Sequence, residues 1–97
     1  MRHSPTPNAA LGRAVGLRRR EQGLRQEDLA DAAEIDETTV RGIEGGVANP
    51  SWDVVDRIAR ALGWPLWRLA RLAEELETEE RRPTDEPLTK AASRSER

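Results

Sequence analysis

The stretch LRQEDLADAAEIDETTVRGIEGG, Leu24 to Gly46, gathers the side chains with the most pointed chemistry in this 97-residue chain. Glu37, Thr38, Thr39 and Arg41 fall within two turns of a prospective helix. A carboxylate there accepts from cytosine N4, and a threonine touches a thymine methyl or a base edge. Glu37 and Arg41 are four apart, so on a helix they also pair and quench each other's charge. Arg25, Gln26 and Arg41, with Arg18 and Arg20 upstream, are donors suited to phosphate oxygens. Against this reading, the stretch holds seven acids and two arginines. A polyanion would meet that count as repulsion, so the placement of each acid decides the matter.

Composition excludes most other chemistry. There is no cysteine, and the single histidine, His3, sits between prolines and the N-terminus. That leaves no thiolate or histidine metal site, no disulfide framework and no nucleophile–base pair. An enzyme is therefore not expected, and no cofactor is implied. No apolar run reaches membrane-spanning length and there is no signal-peptide core, so a soluble, cytoplasmic protein without membrane contact is expected. The net charge of −2 is uneven: residues 1–73 carry eleven arginines and ten acids, while residues 74–97 carry five basic residues and eight acids. The field at a binding face follows local charge, so the part expected to fold is near neutral and the acidity sits in the tail.

Three tryptophans are the only aromatics, and a core of Leu, Val, Ile and Ala favours helices over sheet. Met1–Pro7 reads as a flexible arm. A first helix is expected from an Asn8 N-cap to Gly23, with Leu11, Ala14, Val15 and Leu17 on its apolar side and Arg18, Arg19 and Arg20 near its end. Gly12 and Gly16, four apart, permit close backbone packing. A second helix spans 26–33 and buries Leu29, Ala30 and Ala33. Asp36 then caps a third, 37–44, which buries Val40 and Ile43 and stops at Gly45-Gly46. Ser51 caps a fourth, 52–62, with Trp52, Val55, Ile58, Ala59 and Leu62 at helical spacing. A fifth starts near Pro65 and carries Leu66, Leu69, Leu72, Ala73 and Leu76 before fraying in ETEE. The expectation is an all-α, compact five-helix domain over 8–77, with residues 78–97 a charged, disordered tail.

Helices two and three carry what two helices crossing at a tight turn require. Ala30 is small at the contact, and Leu29, Ile35, Val40 and Ile43 lock the angle. The chain here resembles the phage-repressor-like helix-turn-helix family, the group of lambda- and Cro-type repressors. The likeness runs from Leu11-Gly12 through GLRQEDLADAAEI and Ile43–Gly46 to NPS and the ALG at Ala61–Gly63. It implies a lambda-repressor-like DNA-binding domain that lays helix 37–44 in the major groove, as a dimer on a near-palindromic site. By position, Gln26 matches a phosphate-bonding glutamine, and Glu37, Thr38, Thr39 and Arg41 match the reading positions. Arg19 and Glu44 match a structural ion pair.

The sequence departs from the family at four places. Arg25 replaces a Ser/Thr cap, and Glu34 stands in the turn where glycine meets a positive φ. Gly42 removes a side chain from the reading helix, and Gly45 and Val47 replace phosphate-touching residues. Few backbone contacts remain, so weak binding by a single copy is expected. Trp64, Trp67, Leu72 and Leu76 exceed what a small core requires. They are expected to form a homodimer interface, with a protein-partner surface or packing on helix one as the other outcomes. Two function classes follow: a sequence-specific DNA-binding transcriptional regulator, of repressor type, or else a protein-interaction module or antitoxin-type partner-binding protein that uses helix 64–76.

Overall fold

The computed structural model describes residues 6–81, with Arg81 described by its backbone alone. Five helices follow in order: α1 (Pro7–Glu21), α2 (Gln26–Ala33), α3 (Glu37–Glu44), α4 (Trp52–Ala61) and α5 (Leu66–Arg81). Among the described residues there is no strand, and no helix is long and apolar enough to cross a membrane. The fold class is the expected one. Most of the arm, and the tail beyond Arg81, lie outside the described residues.

Caps explain where the helices begin. The α1 cap is Thr6, not Asn8: its Oγ1 accepts from Ala9 N at 3.0 Å, and Pro7 occupies the first turn, where its missing N–H leaves nothing unpaired. The signal was the T-P pair, which reads as a cap and first-turn proline once helix and arm are allowed to meet. Ser51 caps α4 as expected, accepting from Val54 N at 3.2 Å. Asp36 holds the N-cap position of α3 with extended backbone, yet its side chain makes no capping bond. The expectation that it caps amides is corrected; only its carbonyl enters the helix, accepting from Val40 N at 3.2 Å.

The core lies where all five helices meet. Val15, Leu29, Val40, Ile43, Ile58, Leu62 and Leu69 are its largest fully buried side chains. Each such side chain stabilises the fold by about 1.5–3 kcal/mol relative to exposure. Helix α1 crosses α3 at Gly12, where an added Cβ would stand 2.1 Å from the Ile43 carbonyl oxygen. Nothing but glycine fits that crossing, and the expectation of close packing through α1 holds there.

Three apolar assignments change. Leu17 of α1 is exposed, off the side that buries Ala14 and Val15. Trp52 opens α4 at the edge of the stripe and is 73% exposed, against a groove bordered by Pro7, Leu11, Pro50 and Val55. Leu76, expected at a dimer surface, is buried in the domain's own core. The reason is the path of α5, which runs back along α1 in the most extensive helix–helix contact of the molecule. The same path carries α5 past 77 as a helix to Arg81, where fraying was expected, and Arg13 of α1 is paired with Glu80.

Candidate nucleic-acid interface

The turn between α2 and α3 sets the angle of everything beyond it. Glu34 takes the left-handed conformation there, with φ 61° and ψ 47°. A side chain in that region costs roughly 1–2 kcal/mol relative to glycine. The geometry that the family meets with glycine is therefore kept here by a residue poorly suited to it. What holds it is the packing on either side: Ile35 N donates to the Ala30 carbonyl at 3.0 Å, and Ala33 and Val40 are buried.

At its C-terminal end α3 is braced from two other helices. Arg19 of α1 forks onto Glu44, Nε to Oε2 at 2.6 Å and Nη2 to Oε1 at 3.0 Å, while its Nη1 donates to the Leu24 carbonyl at 2.9 Å. Both side chains are nearly covered, at 12% and 11% exposure. The hydrogen bond to Glu44 raises the Arg19 pKa above its ordinary value, against desolvation and with help from the carboxylate's charge. Gln26, the first residue of α2, adds a third arm by donating Nε2 to Glu44 Oε1 at 3.0 Å. The ion pair was expected from the resemblance to the family. The Gln26 bond was not, because nothing local to α2 indicates which residue of α3 will face it.

At its N-terminal end α3 is bare. Glu37, Thr38 and Arg41 are exposed, while Thr39 is half-covered beside the buried Val40. Arg41 Nη1 donates to Glu37 Oε2 at 2.9 Å, the expected pair four residues apart. Gly42 belongs to neither set: an added Cβ would touch Ala48 and Val47, and its carbonyl accepts from the amides of both. Those Cβ contacts, at 3.4 and 4.0 Å, are ordinary ones, so the loop that folds back against α3 does not itself require glycine here.

The prospective phosphate donors are divided by the structure. Arg18 turns the other way, donating Nε to the Leu62 carbonyl at 3.1 Å and lying 4.3 Å over the Trp64 ring, so it secures the end of α4. Its place among the phosphate donors is corrected: at 3.6 residues per turn, neighbours on α1 are about 100° apart, which puts Arg18, Arg19 and Arg20 on different sides. Arg20 instead folds along α1, its guanidinium and Glu44 Oε1 both within 3.4 Å of where a Gly16 Cβ would stand. Arg20 makes no ion pair among the described residues. Arg25 is bound by Asp28 through two side-chain bonds at 3.0 and 3.1 Å. Asp28 also accepts from Arg25 N at 2.9 Å, so the acid three residues on closes the start of α2 that a guanidinium, having no acceptor, cannot cap. Its hydrogen bonds to Arg25 lower the Asp28 pKa, and those with Asp28 raise that of Arg25.

On α5, Trp67 is 62% exposed and forms a shallow groove with Trp64, Arg68, Arg71, Leu72 and Glu75. Trp64 itself is covered by the guanidinium groups of Arg18 and Arg68, 4.3 and 4.8 Å from its ring centroid, and Leu72 packs partly on the core. Of the four residues expected at a dimer surface, Trp67 is the one left free by the fold.

Two helices joined by a tight turn, the second braced at one end and bare at the other, define a helix-turn-helix domain. The chain belongs to the helix-turn-helix domain family, whose model matches residues 10–72, and its fold is that of the phage-repressor-like DNA-binding regulators. The clp gene regulator ClgR from Corynebacterium glutamicum superposes with a TM-score of 0.74 at 20% identity, over 96% of this chain and 88% of that one. The restriction-modification controller protein C.AhdI from Aeromonas hydrophila is 31% identical, with a TM-score of 0.62 over 63% of this chain and 92% of its own. A hypothetical transcription factor, NHTF, from Neisseria is 27% identical, with a TM-score of 0.64 over 72% and 84%. No curated protein matches the chain.

Proposed function

We propose that this protein is a sequence-specific transcriptional repressor that reads the major groove with α3 and binds a near-palindromic site as a dimer. The observation that supports it is the asymmetry of α3: its C-terminal end is fixed by Arg19 and Gln26, while Glu37 and Thr38 at its N-terminal end, and Arg41 one turn on, stand exposed. Gln26 and Arg20 are the phosphate donors of this reading, with Arg25 contributing once Asp28 yields. With Arg25 and Arg41 both paired to acids in the free protein, a single copy binds weakly. A second copy, meeting through Trp67 of α5, supplies the other half of the affinity. The similarity to a controller protein and to a gene regulator supports a regulatory role.

Selection from pooled duplexes at two salt concentrations tests this. The expected result is a near-palindrome whose affinity falls steeply with salt; selection of no duplex at low salt overturns it. Gln26→Ala should weaken all sequences alike, and Trp67→Glu should shift the sedimenting species toward monomer. A second reading, a module that binds a protein partner through α5, is favoured by the exposed Trp67. It predicts that Trp67→Glu abolishes partner capture while the chain selects no DNA.

A further inference from the structure

We infer that Glu37 and Arg41 act as one unit that reads a single G·C base pair, with guanine on a fixed strand. The inference rests on the major-groove reading of α3 and names what that surface would recognise. In the free protein the two side chains form a donor beside an acceptor, Arg41 Nη1 and Glu37 Oε2, 2.9 Å apart and both open to solvent. A base pair presents the complementary array at the same spacing, because the groove-edge atoms guanine O6 and cytosine N4 are themselves hydrogen-bonded at about 2.9 Å. Arg41 donates to O6, Glu37 accepts the second N4 proton, and the Glu37–Arg41 bond is kept. The couple is thus ordered before it meets DNA, and neither charge has to be stripped of its partner.

An A·T pair also sets a donor, adenine N6, beside an acceptor, thymine O4. The guanidinium decides between them. Its second N–H finds guanine N7 next to O6, whereas next to thymine O4 it meets the C5-methyl group. Reversal of the pair to C·G moves the guanine to the other strand and places the carboxylate against acceptors. One orientation of one base pair therefore satisfies both side chains. The acid that argued against DNA by its charge becomes half of the reading device.

The test is a selected duplex, then that duplex with each position replaced in turn, measured against the wild type, Glu37→Ala, Arg41→Ala and the double variant. Both residues are exposed, so the variants leave the core intact, and equal thermal unfolding verifies it. For the wild type, replacing one G·C pair in each half-site by A·T should weaken binding roughly 10- to 100-fold. Each single variant should reduce that discrimination to about threefold or less, and the double variant should lower it no further, as for two groups acting as one. If Glu37→Ala keeps or strengthens the G·C preference, Glu37 is a mere counter-ion and the inference is overturned. It is equally overturned by a selected site with no G·C pair sensitive to Arg41→Ala, while the proposed regulator survives. Selection of no duplex by the wild type sinks the regulator itself.

Discussion

Glu37 and Glu44 are seven residues apart and lie on nearly the same line of α3, with Arg41 between them, yet the two carboxylates have opposite fates. Glu44 is forked by Arg19, joined by Gln26 and almost covered. Glu37 holds one bond to Arg41 and stays exposed, with side-chain exposures of 54% for Arg41 and 44% for Glu37. The difference comes from α1, which crosses α3 at Gly12 over one end and leaves the other open. A desolvated, bidentate ion pair fixes geometry and is costly to break, whereas a solvated pair contributes little to stability. One helix therefore serves as both anchor and probe.

The contrast can be broken most severely at the anchor. Glu44→Ala leaves the part-buried Arg19 guanidinium unpaired and frees Gln26, and should destabilise the domain by about 3 kcal/mol or more. A fall in the unfolding midpoint of roughly 10 °C or more is the check; a shift of a degree or two would make the brace decorative. Gly12→Ala attacks the same end through the backbone. With a Cβ placed 2.1 Å from a carbonyl oxygen, α1 and α3 must part, at about 1–3 kcal/mol by denaturant unfolding. The turn that leads into the probe should respond in the other direction. Glu34→Gly relieves the left-handed conformation and should stabilise the fold by about 1 kcal/mol, less what glycine's greater unfolded freedom returns. The smallest effect belongs to the probe itself. Arg41→Ala removes an exposed pair four residues apart and should change stability by about 0.5 kcal/mol or less, declining further in salt. A large loss there would mean that the bare end of α3 is holding the fold together.

Much of this was legible in the residues. The Leu, Val, Ile and Ala at helical spacing gave five helices close to their observed limits, because apolar periodicity and caps act over a turn or two. The Glu37–Arg41 pair was legible for the same reason, both partners lying on one helix. The Arg19–Glu44 pair, 25 residues apart, came only through resemblance to the family. What escaped was long-range. Leu76 and Trp67 read alike along α5, and only the path of that helix along α1 buried the first and exposed the second. Arg18 and Arg20 read alike as cations, and only the position of the Leu62 carbonyl and the Trp64 ring gave Arg18 a different duty.

By itself the sequence determined the elements, the turn at Glu34 and the identity of the side chains on each helix face, since these depend on neighbours within a few residues. The tertiary structure decided which of those faces is covered. Periodicity assigns a residue to a side of its own helix and is silent about what the other helices bring to that side. On α3, that single decision separated a carboxylate that holds the domain together from one left free for a base pair.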